Sequence, residues 1–251
     1  MICCITGMHR SGTSLTSSWL QACGLVIADG PVIPPLPDNP KGFFEDVDFV
    51  KLHAQSIRRR QRWSYGWKIT PTHSLEFSPP EESVAAQLIA VRQSKYHIWG
   101  WKDPRSTLFL AYWKRLIPSL KVILVWRPAE EVAFSLLSRW RQQPSRRAWV
   151  KPWGALHMWR AYNKLACEYA EAQRQDTLVL PISYLIENDH TVLARLNEQF
   201  DAHLTYVPIR DLYDAELMHG AQTPRWLKWL STFAGCSMIE QRLQRLFKEP
   251  R

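Results

Sequence analysis

The first fifteen residues constrain this chain more than any other stretch. Met1 to Thr6 is an apolar run suited to a buried strand, Gly7 and Gly12 flank a short polar turn, and Leu15, Trp19, Leu20 and Cys23 then recur at helical spacing up to Gly24. Such a strand–turn–helix unit is a phosphate cradle. The backbone N–H groups of about residues 9–14 converge at a helix N-terminus whose partial positive charge favours an anion. The two glycines have the spacing of a nucleoside-triphosphate loop, yet Thr13 stands where that loop carries lysine and Ser14 where it carries its hydroxyl. A γ-phosphate clamped by magnesium needs the lysine. The loop is therefore expected to hold a nucleotide phosphate without a metal, lined by His9, Arg10, Ser11, Gly12, Thr13 and Ser14, with Arg10 supplying charge.

At 251 residues the chain suits one α/β domain. We read a single domain over 1–251, with a nucleotide-binding core over 1–200 and a helical extension over 201–251. After the first helix, the proline-rich stretch 30–42 predicts an extended loop that delivers Phe43, Phe44, Glu45 and Asp46 to a helix over about 46–61. Residues 62–80 read as an irregular segment on the substrate side. A helix over Glu81–Arg92 then leads to a strand, His97–Trp101, and a further helix runs through Trp113. The clearest strand, Lys121–Trp126, precedes a helix from Glu130 to Arg141. A long helix, Trp153–Gln173, a strand, Thr177–Ile182, and a helix, Asp189–Phe200, complete the pattern. This alternation predicts a doubly wound, mainly parallel sheet flanked by helices.

Two strands end in bases. Lys102-Asp103-Pro104-Arg105 follows one and Arg127-Pro128 the other. In an open parallel sheet the carboxyl ends of the strands face the ligand, so Lys102 and Arg105 are placed for chemistry by topology. An acid at the end of the Lys121–Trp126 strand would have suited magnesium; Arg127 suits an anion.

Composition narrows the partners. The formal charge of +9 implies attraction for anions, with the densest patches at Arg58–Arg62 and at Arg139, Arg141, Arg146 and Arg147, which read first as solvated helix faces. The five cysteines contain no CxxC pair, so no disulfide framework or zinc site is expected and Cys3 and Cys4 read as buried small hydrophobes. The thirteen tryptophans are scattered, as core or pocket walls would be. No stretch approaches a membrane span and the chain enters a strand at once, which predicts a soluble, cytoplasmic protein with no transmembrane segment.

Four separated motifs resemble the sulfotransferases that use 3′-phosphoadenosine-5′-phosphosulfate (PAPS). The run Ile5 to Leu15 is similar to that family's 5′-phosphosulfate loop, in the Arg-Ser-Gly-Thr form of bacterial and tyrosylprotein-type members. Arg127-Pro128 with Ser135 and Arg139 downstream is similar to the 3′-phosphate motif. Lys102-Asp103-Pro104 matches the element that carries a catalytic lysine, and Tyr184 lies in a segment resembling the one whose tyrosine approaches the adenine. The resemblance spans about residues 1–200 and implies a sulfotransferase architecture of the phosphate-loop type. It also implies transfer of a sulfuryl group to a hydroxyl or amine of a glycan, peptide or secondary metabolite.

In that reading Arg10 and Lys102 stabilise developing charge, and His9, Arg10, Ser11, Gly12, Thr13, Ser14, Arg127, Ser135 and Tyr184 bind the donor. No metal is expected. The general base is expected to be Glu45, from an Asn-x-x-Gly-aromatic-aromatic-Glu pattern, with its pKa raised by partial burial beside Phe43 and Phe44; His9 is a second candidate. Two other readings remain open at this stage: a nucleotide kinase or other phosphotransferase of the phosphate-loop type, and a non-catalytic basic module that binds anions or nucleic acid. No specific nucleic acid is expected as a partner.

Overall fold

The computed structural model describes residues 1–34, 42–60, 73–141, 151–212 and 223–249, the side chains of 140 and 141 excepted. Most of the proline-rich loop, the first part of the expected irregular segment, and Arg62, Arg146 and Arg147 lie outside the described residues.

Among the described residues four strands form one parallel sheet in the order β2-β1-β3-β4, with β1 Ile2–Thr6, β2 Trp99–Lys102, β3 Lys121–Trp126 and β4 Thr177–Pro181. The strands are nearly continuous apolar runs because both faces of the sheet are covered. Alternate residues go to opposite sides. Ile2, Cys4, Val122, Leu124 and Val179 join one core cluster, and Cys3, Ile5, Ile123, Val125, Leu178 and Leu180 join the other.

Helices α1 (Thr13–Ala22), α7 (Ile182–Glu187) and α8 (Asp189–Phe200) cover the second face. On the first lie α2 (Val47–Arg60), α3 (Pro79–Lys95), α4 (Leu110–Leu116), α5 (Ala129–Arg141), α6 (Pro152–Ala172), α9 (Arg225–Phe233) and α10 (Cys236–Lys248). The sheet is therefore doubly wound, as the alternation predicted. Trp19, Trp99, Trp101, Trp113 and Trp159 are fully buried, and all five cysteines are free and buried.

Several boundaries differ from expectation, and three of the shifts are tied to local features. Helix α3 opens at Pro79 because Glu81 reaches back to accept the Ser78 N–H at 2.8 Å. Strand β2 runs through Lys102, whose backbone is in register with Ile5. Strand β4 stops at Pro181, which is still extended at φ −65°, ψ 130° and serves as the N-cap of α7, so Ile182 is helical rather than extended.

Candidate active site

The candidate site lies where β1 and β2 end. Gly7 lets the chain leave β1 tightly against β3, since a Cβ there would sit 2.0 Å from the Val125 carbonyl oxygen. At the far end of the turn Gly12 has φ 91°, and a Cβ on it would lie 2.5 Å from Ile182 Cγ1. Between them Arg10 also adopts the left-handed region, at φ 70°, a conformation uncommon for a side-chain-bearing residue. The ladder of α1 begins with Thr16 N–H to the Gly12 carbonyl at 3.1 Å, which places the first helical turn ahead of it at the mouth. One expected donor is used within the turn: Ser11 N–H bonds the Met8 carbonyl at 3.1 Å.

Lys102 closes this mouth from the side. It is 1% exposed, and its Nζ donates to Glu45 Oε1 at 2.7 Å, to the Phe43 carbonyl at 3.0 Å and to Ser14 Oγ at 3.3 Å. One ammonium thus joins the end of β2, the first turn of α1 and the segment carrying Glu45. That segment is anchored at its base: Val32 pairs antiparallel with Asp46, Ile33 N–H bonds the Glu45 carbonyl at 3.0 Å, and Val47 N–H bonds the Pro31 carbonyl at 3.1 Å. Phe44, at φ 53°, turns the chain just before Glu45. The Glu45 carboxylate is turned to Lys102 and Arg105 rather than to its own backbone, with Oε2 accepting from Arg105 Nη1 at 3.4 Å. The side chain at the start of α2 that serves the backbone is instead Asp46, whose Oδ1 accepts the Asp48 N–H at 3.0 Å.

A second layer holds Arg105. Asp103 Oδ1 accepts its backbone N–H at 2.9 Å and its Nη1 at 2.7 Å, while Oδ2 lies 2.8 Å from His53 Nδ1. The Trp113 indole, which can only donate, bonds His53 Nε2 at 2.9 Å, so the imidazole proton sits on Nδ1 and is donated to Asp103. Burial acts to raise the Asp103 pKa, but the Arg105 guanidinium and the His53 N–H outweigh it and hold the carboxyl below its ordinary value. Because the folded-state value is depressed, this stabilisation is complete above the ordinary carboxylate range and is withdrawn as pH falls below about 4. We expect Asp103→Asn to cost about 2 kcal/mol near neutral pH. The variant should also lose less stability than the wild type on acidification, which thermal melts across acidic pH would check; parallel pH profiles would exclude the carboxylate from acid unfolding.

The expected donor-binding residues fall into two groups. Arg10 Nε donates to Ser135 Oγ at 2.9 Å, bridging the turn to α5, and Arg139 of the same helix lies over the Phe43 ring at 5.9 Å. Arg127, 4% exposed, directs Nε to Glu131 Oε2 at 2.6 Å, and its carbonyl accepts the Trp159 indole N–H at 3.0 Å. Tyr184 sits on α7 against Phe247, ring centroids 4.7 Å apart. His9 is buried near Tyr162, its pKa pushed well below the ordinary value first by burial and then by Arg105, with Lys102 and Arg139 adding to it. The structure thus joins Lys102, Ser14 and Glu45 directly, and Arg10 to Ser135. Sequence reasoning missed His53, which on its own reads as one polar residue of an amphipathic helix.

A parallel α/β sheet with a glycine-flanked turn after β1 and buried bases at its carboxyl edge is an architecture of the phosphate-loop type. A family model described as the sulfotransferase family matches residues 3–205, and the chain belongs to that family. Among solved structures, a sulfotransferase from Alicyclobacillus acidocaldarius aligns with a TM-score of 0.53 at 15% identity, over 99% of this chain and 96% of that one. A sulfotransferase from Mycobacterium avium aligns with a TM-score of 0.55 at 14% identity, over 84% and 67% respectively. The sulfotransferase domain of the curacin biosynthetic pathway aligns with a TM-score of 0.50 at 15% identity, over 88% and 80%. At these identities the likeness is one of fold. No curated protein sequence matches the chain.

Proposed function

We propose that the chain is a single-domain sulfotransferase that takes the sulfuryl group of PAPS and transfers it to a hydroxyl or amine acceptor on a glycan, peptide or secondary metabolite. The observation that supports this most is the meeting of Lys102 and Glu45, 2.7 Å apart and both buried, at the mouth of α1. Sulfuryl transfer asks a protein for positioning and charge rather than covalent chemistry. In this reading Gly12 and the first turn of α1 hold the 5′-phosphate, and Arg127 with Ser135 holds the 3′-phosphate. Tyr184 borders the adenine.

Glu45 accepts the proton of the acceptor hydroxyl as the acceptor oxygen bonds to sulfur. The bond between sulfur and the bridging phosphate oxygen breaks, and Lys102 and Arg10 stabilise the charge that develops on that oxygen. Lys102 already holds Glu45, so its ammonium turns from carboxylate to leaving oxygen while Arg105 retains the base.

The donor site is tested by calorimetry in EDTA. The protein is expected to bind 3′-phosphoadenosine-5′-phosphate without added metal. It should bind 5′-AMP about tenfold to a hundredfold more weakly for each charge-assisted hydrogen bond that the missing 3′-phosphate would have accepted. Equal affinity for the two nucleotides would reject the assignment of Arg127 and Ser135.

A further inference from the structure

Helix α9 places Leu227 and Ser231 inward, and Ser231 Oγ contacts Glu130 Oε2 in the first turn of α5 at 3.4 Å. Its other side is apolar and in water. Trp226, Trp229 and Phe233, at positions i, i+3 and i+7, are 51%, 70% and 73% exposed, and beside them Met238 of α10 is 64% and Trp153 of α6 is 41% exposed. The rings are continuous: Trp229 stacks on Phe233 at 5.8 Å, Phe233 meets Trp153 at 6.3 Å, and Trp153 meets His157 at 5.0 Å. An aromatic ladder across two helices is a contiguous patch rather than scattered surface residues, and such patches mark contact surfaces.

Charge selects what makes that contact. Helix α9 carries Arg225 and Lys228 and no carboxylate. The carboxylates of the neighbouring α5 and α10 already have partners: Glu130 has Ser231, Glu131 has Arg127, and Glu240 accepts the Ala129 N–H at 2.8 Å. A second copy of this chain seated about a two-fold axis would bring Arg225 and Lys228 against their own counterparts. Protein interfaces in general are depleted in lysine. Tryptophan and phenylalanine flanked by lysine and arginine form instead the composition of a helix lying in the headgroup region of an anionic bilayer. Among the described residues no helix is long and apolar enough to cross a membrane, so this contact is peripheral.

We propose that α9, with Trp153 and Met238, is a docking surface for an anionic lipid bilayer, the rings entering the headgroup boundary and Arg225 and Lys228 meeting the anionic headgroups. The proposal is independent of the donor and acceptor of the reaction. It is tested by sedimenting the full chain with vesicles of phosphatidylcholine alone and of phosphatidylcholine mixed with phosphatidylglycerol. Binding is expected to the mixed vesicles only, with release at high salt. Trp229→Ser combined with Phe233→Ser should weaken it by about tenfold or more. Lys228→Glu, a separate exposed change, should weaken it by about threefold to tenfold, and both variants should keep the wild-type melting temperature. Equal binding to the two vesicle types, or unchanged binding by the double variant, would overturn the proposal. A dimer in sedimentation velocity that the double variant abolishes, without vesicle binding, would assign the face to a second copy, and a protein complex formed without vesicle binding would assign it to that protein.

Discussion

Lys102→Ala is expected to lower sulfuryl transfer by about 10³-fold while changing the affinity for 3′-phosphoadenosine-5′-phosphate by only a few-fold. The reason is the placement of the ammonium. It closes the mouth of α1 from the end of β2 and makes its shortest contact, 2.7 Å, to Glu45 rather than to any residue assigned to the 3′-phosphate. An interaction strengthened mainly in the transition state appears in turnover, whereas one made equally to the bound nucleotide appears in affinity. Arg127→Ala should show the opposite pattern. Lys102 is buried, so Lys102→Met, which keeps the stem, separates the loss of chemistry from the loss of packing. Single-turnover kinetics with nucleotide calorimetry would decide the matter. Wild-type turnover in either Lys102 variant would leave the residue as a structural tie between β2 and the segment bearing Glu45.

Glu45→Gln is expected to reduce transfer by about 10²-fold or more with nucleotide binding and folding retained. Glutamine keeps the shape and still offers one oxygen to Lys102, but it takes up no proton. The anchored base of the 31–47 segment holds the backbone of residue 45 through the Ile33 N–H, so the substitution should not displace the chain. The second candidate, His9, is differently placed: it is buried beside Tyr162, its pKa pushed well below the ordinary value first by burial and then by Arg105. Near-normal transfer by Glu45→Gln would therefore bring His9 forward, and a His9→Gln variant would settle which of the two takes the proton.

Most of the fold was legible because its signals are local. The apolar runs of β1 and β3, the two glycines around the turn and the helical spacing after Thr13 each lie within a few residues, and the alternation of such strand and helix signals along the chain predicted the doubly wound sheet. Helix α7 was missed because Leu178 to Ile182 continues as an apolar run, and only the backbone of Pro181 marks where strand gives way to helix. The contact of Lys102 with Glu45 joins residues 57 positions apart, and that of His53 with Asp103 joins residues 50 apart. A sequence can place such groups at the ends of elements, but only the packing of α2 against the 3-10 turn at Pro104–Phe109 brings His53 to Asp103. The exposed rings of α9 were equally hidden, since tryptophans at helical spacing look the same whether they face a core or water.

The segment beyond the span matched by the sulfotransferase family has one more consequence. Leu227, Cys236 and Leu243 are fully buried in the same core as the sheet, and Glu240 bonds the Ala129 N–H at the start of the helix that carries Ser135. The tail is thus a keystone rather than an appendage: it fastens α5 from outside while Arg10 fastens it from within. A change in α9 or α10 would, through Ser231 and Glu240, also move α5 and with it Ser135, so the outer face of these helices and the wall beside the turn behave as one mechanical unit.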